Sequence, residues 1–273
     1  MLGDLLDRVR ERRPLIHCIT NYVTANDCAN LLLACGASPV MASDPGEAAE
    51  ITAQCGGLVL NIGTLNTQAI PAMLAAGRKA NELGLPVVLD PVGAGASALR
   101  TDTALGLMET VRFSVIRGNS SEIKAIAQGA SSTQGVDAGM GDGVTEDTLA
   151  EAVRFAKGFA QKTGAVIAVT GPIDVAADGD KAYCIFNGHP MMSRVTGTGC
   201  QLSALTAAFA AANPERMLDA TAGALCAMGV CGELSHQRLG ELDGNSAYRN
   251  YIIDAVYNLD GNTLDRLANY KIL

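Results

Sequence analysis

Val195-Thr196-Gly197-Thr198-Gly199-Cys200 leads straight into an apolar helical pattern over residues 201–211. Glycines ahead of a helix let several free backbone amides converge on one point, where the helix dipole also favours an anion. Such a hole suits a phosphate, although the same glycines serve equally well as an ordinary helix start. Cys200 falls in the first turn, where the dipole can lower a thiol below its usual ~8.5 and make a nucleophile conceivable. A cysteine hydrolase also needs a histidine base. Only three histidines are present: His17 in an apolar strand pattern, His236 near a helix end, and His189 eleven residues before Cys200. Structural roles are expected for His17 and His236, and nothing in the spacing makes His189 a base.

Two further groups carry carboxylates. Leu89-Asp90-Pro91-Val92-Gly93-Ala94-Gly95-Ala96 puts Asp90 at the carboxyl end of an apolar strand, the edge of a parallel sheet where ligands bind. Gly93 and Gly95 invite a dinucleotide reading, but Ala96, Ser97 and Ala98 follow and the third glycine of that fingerprint is missing. Capping of the next loop explains Asp90 about as well as metal binding does. In Ile116-Arg117-Gly118-Asn119-Ser120-Ser121-Glu122, Arg117 ends a strand, Asn119 or Ser120 can cap a helix, and Glu122 falls in its first turn. Glu122 is either a capping-box acid or, with Asp90, a source of hard oxygen ligands for the Mg²⁺ of a nucleotide. Joined to an anion hole, the pair favours phosphoryl transfer.

The elements that must position these groups alternate. Short β-branched runs at 15–20, 39–42, 58–62, 87–90, 115–117 and 166–170 are separated by helical stretches, the pattern of a parallel sheet covered by helices. Ser43-Asp44-Pro45 followed by Glu47 offers a helix start. Apolar spacings of three and four mark helices at 102–111, 120–128 and 146–162. The alternation breaks at Gly171, where 174–177 and 182–186 flank Asp178-Gly179-Asp180 as a tight hairpin, an antiparallel addition to the sheet. Helices follow at 200–211, 214–235 and 246–259, and a Gly-, Ser- and Asp-rich stretch at 129–143 is expected to be a surface loop.

The chain has 273 residues and a net charge of −8. That balance lacks the basic footprint that neutralises nucleic acid or an anionic membrane, so neither is an expected partner. Charged residues make up only 18%, which favours an oligomer. No apolar run is expected to reach the ~18 residues of a membrane span, and no secretory apolar segment opens the chain, so a cytoplasmic location is expected. Eight cysteines are scattered without a CxxC pair, so most are expected as small buried apolar residues rather than zinc ligands or disulfides.

Six blocks together resemble hydroxyethylthiazole kinase: Pro14-Leu15-Ile16-His17-Cys18-Ile19-Thr20-Asn21; Gly36-Ala37-Ser38-Pro39-Val40-Met41-Ala42; Leu60-Asn61-Ile62-Gly63-Thr64-Leu65; Asp90 to Ala96; Arg117-Gly118-Asn119 to Glu122; and Thr196-Gly197-Thr198-Gly199-Cys200. They occur in that family's order across about 14–211. The resemblance implies one ribokinase-like α/β/α kinase domain over residues 1–273, with a mostly parallel sheet and a small antiparallel addition. It implies a homotrimer with thiazole pockets between subunits. The implied reaction moves the ATP γ-phosphoryl group to the hydroxyl of 4-methyl-5-(2-hydroxyethyl)thiazole in thiamine salvage. Met41 and Gly197 would contact the thiazole and Asn21 would hydrogen-bond it. Arg117, Thr170 and Asn119 would contact ATP. Asp90 and Glu122 would hold Mg²⁺, while the backbone of Gly197, Thr198, Gly199 and Cys200 would stabilise the transferring group. The wider ribokinase-like group carries an aspartate base where this chain has Cys200. That departure keeps three alternatives in view: a kinase for another primary alcohol, a non-catalytic ATP or thiazole sensor, and a cysteine hydrolase.

Overall fold

The protein is seen in a computed structural model that describes residues 1–129 and 143–273. The loop expected at 129–143 therefore lies, apart from its two end residues, outside the described residues. In chain order the strands are β1 (Leu15–Ile19), β2 (Ser38–Val40), β3 (Gly57–Asn61), β4 (Val87–Asp90), β5 (Val115–Asn119), β6 (Val166–Thr170), β7 (Asp174–Ala177), β8 (Ala182–Ile185) and β9 (Tyr270–Ile272). The helices are α1 (Gly3–Arg12), α2 (Ala25–Cys35), α3 (Ala48–Thr52), α4 (Ala69–Glu82), α5 (Ala98–Thr110), α6 (Ser120–Gly129), α7 (Leu149–Thr163), α8 (Thr198–Ala212), α9 (Met217–Arg238), α10 (Asn245–Asn258) and α11 (Gly261–Leu267).

The nine strands form one sheet in the order β2-β1-β3-β4-β5-β6-β7-β8-β9. β1 to β6 pair in parallel, and β7, β8 and β9 add antiparallel to that edge. Helices cover both faces. Because side chains alternate along a strand, Val59 and Val88 face a layer built from α1, α2, α8, α9 and α10. Leu58, Leu60, Val87 and Leu89 face the layer of α4, α5, α6 and α7. This two-sided burial explains the unbroken apolar runs read from the sequence.

Several boundaries differ from the sequence reading. α8 begins at Thr198 rather than Cys200 because Gly197, at φ +91°, turns the chain into it. α5 starts four residues before 102, where Ser97 accepts the Arg100 amide as its cap. Ser43-Asp44-Pro45 does not start a helix: Asp44 accepts the Gly46 amide in a turn, and α3 begins at Ala48. The charged amino terminus hides α1, whose Leu5, Leu6 and Val9 are buried on one face. β9 is also unforeseen, since its three residues are exposed and carry no alternating burial. Contrary to expectation, α9 is long and apolar enough to cross a membrane by length and composition, but 78% of its apolar window is buried within the protein.

His17 takes the structural role expected of it. Its Nε2 lies 2.8 Å from the Ala42 carbonyl and its Nδ1 2.8 Å from Thr52 Oγ1. The carbonyl only accepts, so Nε2 carries the proton and donates. Burial lowers the ring below its usual 6.5, against weaker raising effects from the Ala42 bond and Glu47. Its folded-state value thus lies below its unfolded one, so the unfolded chain binds more protons and stability falls as pH drops below about 6.5. Between pH 7 and 5.5 this one proton is expected to cost at most about 1.4 kcal/mol of stability per pH unit, set against the opposite contribution of Asp174, whose carboxyl burial raises to about 7. The stability of a His17→Gln variant, destabilised at pH 7, should therefore change less unfavourably than that of the wild type as pH falls in a melting-temperature series. Equal slopes would contradict the assignment.

Candidate active site

The carboxyl ends of neighbouring strands set a row of polar side chains along one edge of the sheet. Asn61 of β3 sits in register with Asp90 of β4, and Asn119 of β5 with Thr170 of β6. Asn21 follows β1 in the same direction. The row forms because each strand leaves its apolar core at this end, where ligands bind in open α/β sheets.

Asp90 is fully buried. Its Oδ2 accepts from Asn61 Nδ2 at 2.6 Å and from Ser203 Oγ at 2.8 Å. Its Oδ1 lies 3.6 Å from Arg117 Nη1 and has no hydrogen-bond partner. Burial pushes this carboxyl up, opposed chiefly by the Arg117 charge, with the nearby Glu122 adding to the rise. A buried carboxylate oxygen left without a donor is costly, and a hard cation would satisfy it. Asp90 thus keeps one oxygen that a hard cation such as Mg²⁺ would satisfy.

Glu122 also does the plainer work foreseen for it. Its Oε1 accepts the Gly93 amide at 2.8 Å and its Oε2 the Asn119 amide at 2.9 Å, while Asn119 Oδ1 accepts the Glu122 amide at 2.9 Å. That is a reciprocal cap on α6. The cap also aims the Glu122 charge at the loop after Asp90. Asn119 itself serves as the cap and also accepts from Ser121 Oγ.

Arg117 links this edge to the start of α8. Its Nη2 donates to Thr170 Oγ1 at 2.7 Å. A Cβ added to Gly199 would stand 2.7 Å from Nη1 and 2.9 Å from Nη2, so the glycine lets the helix backbone lie against the guanidinium as it stands, and a larger residue would push the guanidinium aside. A Cβ on Gly197 would meet Thr24 Cγ2 at 2.4 Å. The first intrahelical bond runs from the Gln201 amide to the Gly197 carbonyl. The amides of Thr198, Gly199 and Cys200 precede it and open the helix as unused donors, with the Arg117 charge beside them. Arg117, Thr170, Thr198 and Gly199 together line a cavity of about 550 Å³, within the range of small-molecule sites.

Cys200 departs from its expected chemistry. Burial, and next the charge of Asp90, raise its thiol above the ordinary value, overriding the helix dipole. Asn21 Nδ2 and Asn61 Nδ2 each donate to Sγ at 3.2 Å. No described histidine bonds to it: His17 is held elsewhere, and His189 stacks on His236 with ring centroids 3.5 Å apart. The cysteine-hydrolase alternative falls with these contacts.

Asn21 Nδ2 donates to Asn61 Oδ1 and Cys200, and its Oδ1 accepts from the amide and hydroxyl of Thr24. These contacts hold Asn61, Cys200 and the start of α2 together, and a thiazole hydrogen bond to this amide would have to take the place of one of them. Met41 follows β2, three strands from Asp90, which is about 14 Å across the sheet, and is 38% exposed. Asn61 and Ser203 went unassigned in the sequence; a polar residue closing an apolar strand was the available signal for Asn61, and none marked Ser203.

Residues 6–262 match the Hydroxyethylthiazole kinase family. The chain is 60% identical over 271 residues to a hydroxyethylthiazole kinase of Clostridium acetobutylicum, covering 99% of each. It is 47% identical to that of Clostridium beijerinckii, covering 99% of this chain and 96% of the relative. The solved hydroxyethylthiazole kinase of Pyrococcus horikoshii OT3 superimposes with a TM-score of 0.88 at 37% identity, covering 100% of this chain and 98% of that one. A ribokinase-like protein of Enterococcus faecalis, with a TM-score of 0.62, 13% identity and 93% of each chain covered, shares the fold. With the sheet-edge carboxylates, the Arg117 charge and the amides of α8 in one place, and with relatives matched along its whole length, this chain belongs to the hydroxyethylthiazole kinase family.

Proposed function

We propose that this chain transfers the γ-phosphoryl group of ATP to the hydroxyl of 4-methyl-5-(2-hydroxyethyl)thiazole, the salvage reaction of its family. The observation that carries the mechanism is the approach of the Gly199 backbone to Arg117, which places a positive charge beside the unused amides of Thr198, Gly199 and Cys200. Phosphoryl transfer passes through a loose transition state in which positioning and charge stabilisation dominate. Amides fixed before the reaction supply that stabilisation without reorganising. Arg117, anchored by Thr170 and Asp90, neutralises charge on the phosphates. Asp90 and Glu122 would hold Mg²⁺, which would offset the charge of the nucleotide phosphates. Thr170 and the Thr198–Gly199 backbone line the cavity that receives the nucleotide.

Cys200 is a neutral, half-buried thiol in this scheme, neither nucleophile nor strong base. Cys200→Ala is expected to retain kcat within about tenfold, since the backbone amides remain. Cys200→Asp is expected to raise kcat, by up to about a hundredfold. The Asn21 and Asn61 amides that now face the sulfur would receive a carboxylate, and the cationic surroundings of the phosphates offset its charge. Steady-state kinetics of both variants checks this: a dead Cys200→Ala enzyme would overturn the non-covalent mechanism, and a slower Cys200→Asp enzyme would show that the position serves no proton transfer.

The assembly is proposed as a homotrimer with the thiazole between subunits. Tyr22 is 82% exposed, Val23 55% and Met41 38%, an unusual apolar display beside a polar site, and a neighbouring copy would cover it. Sedimentation equilibrium should then return about 84 kDa, three times the 28.1 kDa chain. ADP formation with hydroxyethylthiazole, a hydroxymethylpyrimidine and pyridoxal in parallel tests the acceptor. Turnover confined to the thiazole supports this reading, and preference for another alcohol replaces it.

A further inference from the structure

The cavity beside the α8 amides holds one carboxylate that the transfer chemistry leaves unused. Asp174 opens β7, four residues beyond Thr170, and lines the same cavity as Arg117, Thr170, Thr198 and Gly199. Its Oδ1 accepts the Gly171 amide at 2.9 Å, which fixes the side chain across the turn between β6 and β7. Among the described residues no group donates to its other oxygen. Burial pushes this carboxyl up to about 7, and the Gly171 bond and the Arg117 charge only partly oppose the rise. Asp174 is only half-buried, so its second oxygen is left open to solvent or to a ligand in the cavity.

A nucleoside triphosphate with its phosphates at the Thr198–Cys200 amides brings three kinds of group into this cavity. The phosphates are anionic acceptors, and a carboxylate repels them. The base suits the apolar part of the lining, Leu202, Leu225 and Met228. The ribose carries hydroxyl donors and lies between phosphates and base. Asp174 precedes Val175, which pairs with Val169, and so lies across from Thr170, the residue that accepts from Arg117; that puts it next to the phosphate side, at the ribose rather than at the far end of the base.

We propose that Asp174 is a nucleotide-contacting residue whose Oδ2 accepts a hydrogen bond from a ribose hydroxyl while Oδ1 stays on the Gly171 amide. The assignment rests on the reading of the α8 amides as the phosphate site. It predicts that a change of nucleobase matters less than loss of the sugar hydroxyls.

Titration calorimetry in one Mg²⁺ buffer, with ATP, 2′,3′-dideoxy-ATP and inorganic tripolyphosphate, tests it on the wild type and on Asp174→Ala. The wild type is expected to bind ATP about ten- to a hundredfold more tightly than the dideoxy compound, the usual range for a hydrogen bond to a charged group. Asp174→Ala should lose that difference and keep its affinity for tripolyphosphate. The wild-type comparison needs no variant, so it decides the matter even if Asp174→Ala fails to fold. Equal wild-type affinities for ATP and dideoxy-ATP would overturn the ribose contact while leaving the phosphate site intact. An Asp174→Ala protein that loses tripolyphosphate and ATP affinity alike would reduce Asp174 to a scaffold of the turn. Failure of the wild type to bind either ATP or tripolyphosphate would overturn the phosphate site itself, and this proposal with it.

Discussion

Arg117→Met is expected to lower kcat/KM by about a thousandfold, the scale on which a charge aimed at a transferring phosphoryl group acts. Arg117 is 8% exposed, and its guanidinium contacts Thr170 and stands 3.6 Å from Asp90. The substitution also removes the charge that most opposes the rise of Asp90. Breaking a buried pair by deleting one partner costs about 3–5 kcal/mol when the remaining charge has no relief. Here the carboxyl can take up a proton, so the loss should fall at or below the lower end of that range. Arg117→Met combined with Asp90→Asn should recover stability in urea unfolding without recovering turnover. A single variant within tenfold of wild-type kcat/KM would contradict the role given to Arg117.

Asp90→Asn is expected to reduce activity by about a hundredfold and to raise the Mg²⁺ concentration for half-maximal rate. The partnerless Oδ1 is the group a cation would satisfy, and an amide cannot replace its charge. Glu122→Gln separates two effects. Both Glu122 oxygens accept backbone amides, so an NH₂ group in place of either loses a bond and faces a donor, for about 1 kcal/mol of stability. That loss follows from the cap alone. Only a shifted Mg²⁺ curve reports the metal, and unchanged curves in both variants would refute the assignment.

The sequence was most legible where local chemistry and topology coincide. Asp90 and Thr170 end apolar strands and Arg117 lies two residues before the end of β5, and a strand end in a parallel sheet is already a site, so their convergence followed from the alternation of elements. Gly197 and Gly199 announced the α8 amides, but not why glycine is required there. That reason lies in contacts with Thr24 and Arg117, remote in the chain. For Cys200 the sequence shows only the helix dipole, a local effect, while burial and Asp90, which raise the thiol, depend on tertiary packing. Asn21 carries no local sign that Thr24, Asn61 and Cys200 absorb its amide. α1 was hidden because its charged residues outnumber the buried stripe of Leu5, Leu6 and Val9, and β9 because an exposed edge strand has no apolar alternation to read.

Following the phosphorus atoms themselves tests the central claim most directly. In a ³¹P NMR time course of the wild-type enzyme with ATP, Mg²⁺ and hydroxyethylthiazole, the γ-phosphate signal should be replaced by a phosphate monoester, in step with ADP and only when the thiazole alcohol is present. Inorganic phosphate in place of the monoester, or a γ signal that persists in folded protein that binds ATP, would contradict phosphoryl transfer to the thiazole hydroxyl.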